Sequence, residues 1–134
     1  MTGSIDTLPK EDVPGFASFG IRAFTTTRDA GTFSLSGGDP VGEVMARWTS
    51  LQEALSPYSL RTVIGRQVHG TTVLTHRGGW EGLLRTGLAD GHLAAERGIA
   101  LAVSVADCVP IFMAHQSGVV AVLHSGWRGT VAPD

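Results

Sequence analysis

Three residues of this chain have side chains that can bind a metal or act in nucleophilic catalysis. Cys108 is the single cysteine, and His69 and His124 are two of the five histidines. Thiolate and imidazole groups together favour zinc or copper over hard cations. The three residues are too widely spaced for a zinc-finger knuckle, so they would have to converge through the tertiary structure. Three protein ligands with an open fourth position are typical of catalytic zinc, although spacing alone does not decide this.

The same residues are compatible with a second chemistry. A thiolate beside an imidazole can attack acyl carbons, as in amidases and proteases, and Asp107 would then orient the imidazole. This dyad does not need His69, whereas a metal site does, so His69 discriminates between the two hypotheses. A free cysteine next to an apolar strand is also commonly a small core residue, and this third interpretation stays open.

A β-hairpin is predicted to position Cys108 and His124. The apolar runs VPIFMA and VVAVL flank the polar loop HQSG, which is a hairpin signal. Direct pairing of Cys108 with His124 predicts a three-residue loop, 115–117, followed by Gly118 with a positive φ. Because strand side chains alternate strictly, the two groups share a face only if the loop has an odd number of residues or the hairpin contains a bulge.

Upstream of the hairpin, the sequence predicts one helix and several strands. Apolar residues recur at helical spacing over 41–55, with Asp39 as the predicted N-cap and Pro40 at the first helical position. Short strands are predicted on both sides of the segment QVHG, at 60–65 and 71–76. Residues 16–27 are interpreted as a strand or strand pair, and the glycine-rich stretch 78–87 as a loop. His76, His92 and His115 are predicted to be surface or loop residues.

Length and composition favour a globular chain of 134 residues with one domain. Residues 1–15 are predicted to be a loose lead-in, and 16–134 the domain. The net charge of −2 and the scattered basic residues exclude a basic surface for nucleic acid. No segment reaches the length of a membrane span, and the N-terminus lacks the apolar core of a signal peptide. One cysteine suits a reducing compartment, so we predict a cytoplasmic location.

Two arginines have a context that suits an anion. Arg28 follows a predicted strand at a turn, and Arg128 lies between Gly126 and Gly129. The planar guanidinium group suits phosphate, and glycines let backbone amides approach an anion. The alternative is that both arginines form ordinary surface pairs.

Three motifs resemble the YfiH-type laccase-domain family. They are QVHG at 67–70, ADCVP at 106–110 and HSGWRG at 124–129, and the family has QVHG, ADC-x-P and HAGWRG in the same order. Ser125 stands where the family usually has alanine. The segments TTTR at 25–28 and ADG at 89–91 also resemble family elements. The resemblance extends over roughly 19–130 and, by its three motifs jointly, is highly specific.

The resemblance implies an α/β fold, a sandwich of mixed sheets with outer helices, and implies His69, Cys108 and His124 as ligands of Zn²⁺. The implied activity is that of a purine nucleoside phosphorylase, which converts adenosine or inosine and phosphate to free base and ribose 1-phosphate. Methylthioadenosine phosphorolysis and adenosine deamination are implied alongside. A copper-dependent polyphenol oxidase, with Cu²⁺ as the metal, is an alternative from the same family. Members can be homodimers.

Within this resemblance, Arg28 and Arg128 are candidates to bind phosphate. Asp107 is the candidate for general acid–base catalysis or for holding a metal ligand. The segment 30–39 is shorter than usual and lacks an asparagine that the family has there, and family members continue well beyond GWRG. We therefore expect an N-terminal portion of a longer enzyme, incomplete at the C-terminus. An inactive metal-binding fragment and a Cys–His hydrolase or amidase with Cys108 as nucleophile remain alternatives.

Overall fold

The structure is a computed structural model that describes residues 4–106 and 108–125. The chain divides into two compact units between Leu60 and Arg61. In the first unit, the short strands β1 (Lys10–Asp12) and β2 (Phe24–Thr26) pair in antiparallel fashion, and helix α1 spans Val41–Leu55. Short 3₁₀ turns accompany them at Ile5–Thr7, Ala17–Phe19 and Arg28–Ala30.

Helix α1 confirms the prediction made from apolar spacing. Val44, Trp48, Leu51 and Leu55 recur every three or four residues and are buried, as expected for one face of a helix. The Trp48 ring packs edge-on against Phe33 with 5.2 Å between ring centroids, and its Nε1 donates to the Phe33 carbonyl at 2.9 Å. Within the described residues, no helix combines the length and hydropathy that a membrane crossing requires.

Asp39 was expected to cap this helix, and that prediction is wrong. Pro40 occupies the N-cap position without a side-chain capping bond. The Asp39 carboxylate instead accepts a hydrogen bond from Arg47 at 3.0 Å, and the same guanidinium nitrogen donates to the Thr32 carbonyl at 3.0 Å. The Arg47 guanidinium competes with the helix amides for this carboxylate, because it brings a full opposite charge to the bond.

One further prediction for the first unit needs correction. Only Phe24–Thr26 of the segment 16–27 is a strand, and Ala17–Phe19 forms a 3₁₀ turn that ends at Gly20 with φ 71°. Glycine accepts this left-handed conformation without a Cβ penalty, so the chain turns there instead of extending. The predicted lead-in, 1–15, contains β1, whose pairing with β2 uses the extended part of that segment.

The second unit contains two sheets within the described residues. Their strands are β3 (Arg61–Arg66), β4 (Val73–His76), β5 (Gly82–Leu88), β6 (Gly91–Ala94), β7 (Ile99–Leu101), β8 (Val109–Ala114) and β9 (Val120–Ser125). In the first sheet all neighbours are parallel, with the order β5-β3-β7. In the second sheet the order is β4-β6-β9-β8, with β4 and β6 parallel and the other neighbours antiparallel. Helix and mixed sheets together confirm the α/β fold class.

Strand β5 lies in the glycine-rich stretch that was predicted to be a loop. The prediction fails because β5 pairs in parallel with β3, whose residues Thr62, Val63 and Ile64 are buried. A ladder beside a buried strand overrides weak strand propensity, since propensity depends on the neighbours of a strand as much as on its own residues. The strands predicted around QVHG are confirmed as β3 and β4.

The hairpin of β8 and β9 is confirmed, but its register differs from the prediction by two residues. Pro110, not Cys108, pairs with His124. The tight loop is 116–118: the Gly118 N–H donates to the His115 carbonyl and the His115 N–H to the Val119 carbonyl, both at 2.9 Å. Gly118 has φ 98° and closes a three-residue loop of the glycine-bulge type. A shift of two residues leaves every side chain on its predicted face.

Candidate metal centre

The loop that carries His69 connects β3 to β4. These two strands pair in parallel with β5 and β6, which are connected by a much shorter segment. Arg66 pairs with Leu88 at the end of the β3–β5 ladder, and Val73 pairs with Gly91 at the start of the β4–β6 ladder. Between these pairs, one segment has six residues, 67–72, and the other has two, 89 and 90. The longer segment must loop out, and it does so around the side chain of Asp90.

The Asp90 carboxylate is buried, with 3% exposure, and accepts four hydrogen bonds. Oδ1 accepts from the backbone amides of Val68 and Gly70, both at 3.0 Å. Oδ2 accepts from the His69 amide at 2.9 Å and from His124 Nδ1 at 2.9 Å. His69 has φ 59°, a conformation that is uncommon for residues other than glycine. The three amide bonds to one carboxylate hold the loop in that conformation.

The charge state of Asp90 decides which nitrogen of His124 carries a proton. Burial alone would raise the pKa of Asp90, but bonds from the Val68 and Gly70 amides, from His124 and from the His69 amide outweigh burial and lower it. The group is therefore an ionised carboxylate at neutral pH, which can only accept hydrogen bonds. His124 Nδ1 must then be the donor, and a neutral imidazole keeps its lone pair on Nε2.

The structure brings His69, Cys108 and His124 together. One ligand atom from each lies within 4.8 Å of the others, and the rings of the two histidines are 5.1 Å apart between centroids. His124 is buried on β9, Cys108 is half-buried directly before β8, and His69 is exposed. Two nitrogens and one sulfur on the edge of solvent fit zinc or copper with an open position.

Gln67 ties the His69 loop to the segment that leads to Cys108. Its Nε2 donates to the Ser104 carbonyl at 2.7 Å, and the Ser104 N–H donates to its Oε1 at 2.7 Å. The Gln67 side chain thus donates one hydrogen bond to the Ser104 backbone and accepts one from it, as a residue of a neighbouring β-strand would. The first residue of QVHG therefore helps to bring the two candidate ligands together.

The structure does not test the roles of the other three predicted site residues. Arg28 begins the 3₁₀ turn Arg28–Ala30 of the first unit, at the turn after β2 that the sequence predicted. Asp107 and Arg128 lie outside the described residues. The roles proposed for these three residues stay predictions.

The sequence predicts no role for Asp90, although the segment ADG resembles a family element. The available signal was an acidic residue between the apolar runs of two short strands, in LADGHLA. A carboxylate at such a position is buried, and a buried carboxylate requires donors. The donors come from residues about twenty and thirty positions away, so the sequence alone did not identify them.

A second group of histidines lies in the same sheet, and here the prediction of surface residues is wrong. His76 Nε2 and His92 Nδ1 are 2.8 Å apart, and both residues are buried. Burial and the nearby His76 lower the pKa of His92 to about 4, and burial lowers the pKa of His76. His92 is fully buried, and among the described residues its Nε2 has no hydrogen-bond partner. His115 is exposed, as predicted.

Known proteins resemble this chain in sequence and in structure. The chain is 41% identical over 96 residues to a purine nucleoside phosphorylase of Streptomyces coelicolor, covering 71% of this chain and 39% of that protein. It is 38% identical over 128 residues to one of Mycobacterium bovis, covering 86% and 49%. The crystal structure of YlmD from Geobacillus stearothermophilus superposes with a TM-score of 0.65 at 33% identity, over 73% of this chain and 39% of that chain.

This chain thus spans less than half the length of each of these three proteins. Residues 23–133 match the family described as multi-copper polyphenol oxidoreductase laccase. That match contains all three residues of the His–Cys–His cluster and covers most of the chain. The chain therefore belongs to the multi-copper polyphenol oxidoreductase laccase family, as its three motifs predicted.

Proposed function

We propose that this chain carries the metal-binding part of a purine nucleoside phosphorylase. The observation that carries this proposal is the convergence of His69, Cys108 and His124 on one small volume, in a chain whose relatives bear that name. Zinc is the proposed metal, since a thiolate and two imidazoles with one open position are typical of its catalytic sites. Copper is the alternative.

The proposed reaction takes adenosine or inosine and phosphate. A phosphate oxygen forms a bond to the anomeric carbon while the bond from that carbon to the purine breaks, and the leaving purine accepts a proton. Arg28 and Arg128 are proposed to hold the phosphate, and Asp107 to carry the proton. A zinc ion at the His–Cys–His set would supply a Lewis acid beside the reacting groups. Methylthioadenosine phosphorolysis, adenosine deamination, a cytoplasmic location and a homodimer belong to the same proposal.

A Cys–His hydrolase is the second candidate, and one observation favours it. Asp90 orients His124 through Nδ1, and the thiol of Cys108 lies within 4.8 Å of a ring nitrogen of that histidine. In a nucleophilic triad, an acid orients an imidazole and the imidazole activates a thiol, and these three groups occur here in that order. The orienting carboxylate is Asp90, whereas the sequence suggested Asp107. His69 has no part in a triad, and this separates the two candidates.

The test combines metal analysis with product analysis on the full chain. Purified protein and its His69→Ala variant are loaded with zinc, dialysed and analysed for bound metal. Both are then incubated with adenosine or inosine, with and without phosphate, and the products are separated by chromatography. The proposal predicts one zinc per chain lost in the variant, and free base with ribose 1-phosphate only when phosphate is present.

Other outcomes assign the alternatives. Zinc binding that depends on His69, without any turnover, identifies an inactive metal-binding fragment. Hydrolysis of an ester or amide substrate that survives His69→Ala but not Cys108→Ser identifies the hydrolase. Oxidation of a phenol that requires copper identifies the oxidase.

A further inference from the structure

The Asp90 carboxylate is shared by two candidate ligands that come from distant parts of the chain. Each oxygen accepts two hydrogen bonds, at 2.9–3.0 Å, and the carboxylate is 3% exposed. One of these four donors is the side chain of His124, and another is the backbone amide of His69. With two hydrogen bonds to each oxygen, the carboxylate is fully satisfied by groups of the protein. Its removal would leave four donors without their acceptor, which costs stability.

The bond to His124 fixes the tautomer of that histidine. A carboxylate has no proton to give, so the proton between Asp90 and His124 lies on Nδ1. The lone pair is then on Nε2, the nitrogen that points away from Asp90. The backbone of His124 reinforces this orientation, because its N–H donates to the Asp90 carbonyl at 2.7 Å.

The three amide bonds fix the conformation of His69. A non-glycine residue at φ 59° is in a strained conformation, which surrounding contacts must hold in place. Val68, His69 and Gly70 all direct their N–H groups at Asp90. Without that acceptor, three donors would be unsatisfied in a tight loop, and the loop would relax.

We propose that Asp90 is a positioning residue that preforms the metal site, by holding the His69 loop and by keeping the His124 Nε2 lone pair free for the metal. The inference rests on the metal centre of the proposed function and assigns it a carboxylate–histidine–metal arrangement. Asp90 is not one of the three candidate ligands.

The substitution Asp90→Asn keeps the size of the side chain and removes one acceptor. With the amide NH₂ in place of Oδ2, two donors face each other, the NH₂ group and the His69 N–H. The NH₂ group also becomes the donor in the bond to His124 Nδ1. His124 must then carry its proton on Nε2, the nitrogen needed for the metal. The expected loss of metal affinity is about 10–100-fold, as for other changes to groups that orient a metal ligand.

The first measurement uses the unaltered, metal-free chain. Two-dimensional ¹⁵N–¹H spectra of the imidazoles report which nitrogen of each histidine carries the proton. The proposal predicts the Nδ1–H form for His124 in the native chain and the Nε2–H form in Asp90→Asn. An Nε2–H form in the native chain overturns the proposal, whether or not any variant folds.

The second measurement is the affinity for Zn²⁺ and Co²⁺ by calorimetric titration of native, Asp90→Asn and Asp90→Glu chains. Glutamate keeps both acceptor oxygens, so it should retain the Nδ1–H tautomer and recover part of the affinity. Equal affinity of native and Asp90→Asn chains overturns the proposal. His69→Ala is the control for the metal centre: if it binds zinc as tightly as the native chain, the proposed function fails, while the tautomer still decides the role of Asp90.

Discussion

Two histidine clusters lie in the second unit, and they have opposite surroundings. In the His69–His124 cluster, a carboxylate orients one ring, a thiol lies nearby, and the second ring is exposed. In the His76–His92 pair, the rings bond only to each other among the described residues, and both are buried. Among the described residues, the first cluster has a carboxylate as a hydrogen-bond partner and a ring exposed to solvent, and the second cluster has neither.

We infer that this difference decides which histidines can bind a metal. Asp90 provides a fixed tautomer for His124, so that one nitrogen is available for a metal. His92 has no such partner, and its Nε2 is buried without a hydrogen bond. A buried unsatisfied nitrogen costs roughly 1–3 kcal/mol, and burial also disfavours the charged ring. We therefore expect the first cluster to bind metal and the second to respond to pH.

Removal of one ligand should have the largest effect. The substitution His124→Ala is expected to weaken zinc binding about 1,000-fold, because one of three ligands is lost from a site of roughly 10–16 kcal/mol. The matched control is His92→Leu, which alters the second cluster and should leave the zinc affinity within about threefold. Calorimetric titration measures both. If His92→Leu abolishes binding as His124→Ala does, the contrast between the clusters is incorrect.

The pH dependence of stability should identify the second cluster. Because the pKa of His92 falls to about 4 in the folded chain, the unfolded state binds a proton near pH 6.5 that the folded state does not. The free energy of unfolding is therefore unaffected above pH 6.5 and decreases as the pH falls, by about 2–3 kcal/mol at pH 4.5. Urea denaturation of the metal-free chain from pH 7.5 to 4.5 measures this change.

The control for the pH series is again His92→Leu, which should remove most of this dependence and leave a smaller part due to His76. The pKa of Asp90 is also lowered, so its contribution is present above its usual pKa near 3.8 and is lost only below it. That loss lies outside the chosen range. A His92→Leu chain with the same pH dependence as the native chain would refute the assignment.

Two glycines offer a steric comparison of the clusters. A Cβ at Gly65 would lie 2.9 Å from the Ala89 carbonyl and 3.1 Å from His92 Cε1, whereas at Gly70 the nearest atoms, on Asp90 and Val68, are 3.6 Å away. Gly65→Ala should lower the free energy of unfolding by about 1–3 kcal/mol. Gly70→Ala keeps its amide donor and should change it by less than about 0.5 kcal/mol. Thermal and urea unfolding measure both, and equal effects would contradict the tight packing beside His92.

The smallest effect is expected at His115, which belongs to neither cluster. It is exposed in the hairpin loop, where its Nδ1 contacts the Ser117 hydroxyl at 2.7 Å and accepts from the Ser117 amide at 3.0 Å. His115→Ala should change the free energy of unfolding by no more than about 0.5 kcal/mol and leave zinc affinity unaltered. A large loss of zinc in this variant would show that metal binds outside the proposed cluster.

Local signals in the sequence predicted some elements well. Helix α1 has the apolar spacing and the turn residues that define a helix, so its bounds agree with the prediction. Strand β5 has no comparable signal: its glycines favour a loop, and only its ladder with β3 makes it a strand. The hairpin register was also not predictable from local signals. A shift of the loop by one position changes which residues pair, but it leaves every side chain on the same face of the sheet.

The sequence by itself determined the three candidate ligands, since their types are few and their motifs are specific. It did not determine what orients them. Asp90 obtains its role because β3 and β4 pair with β5 and β6, which forces 67–72 to loop around its carboxylate. Likewise, His76 and His92 differ from His69 and His124 only in what the fold places around them. Burial and hydrogen-bond partners depend on contacts between distant segments, so only the tertiary structure decided them.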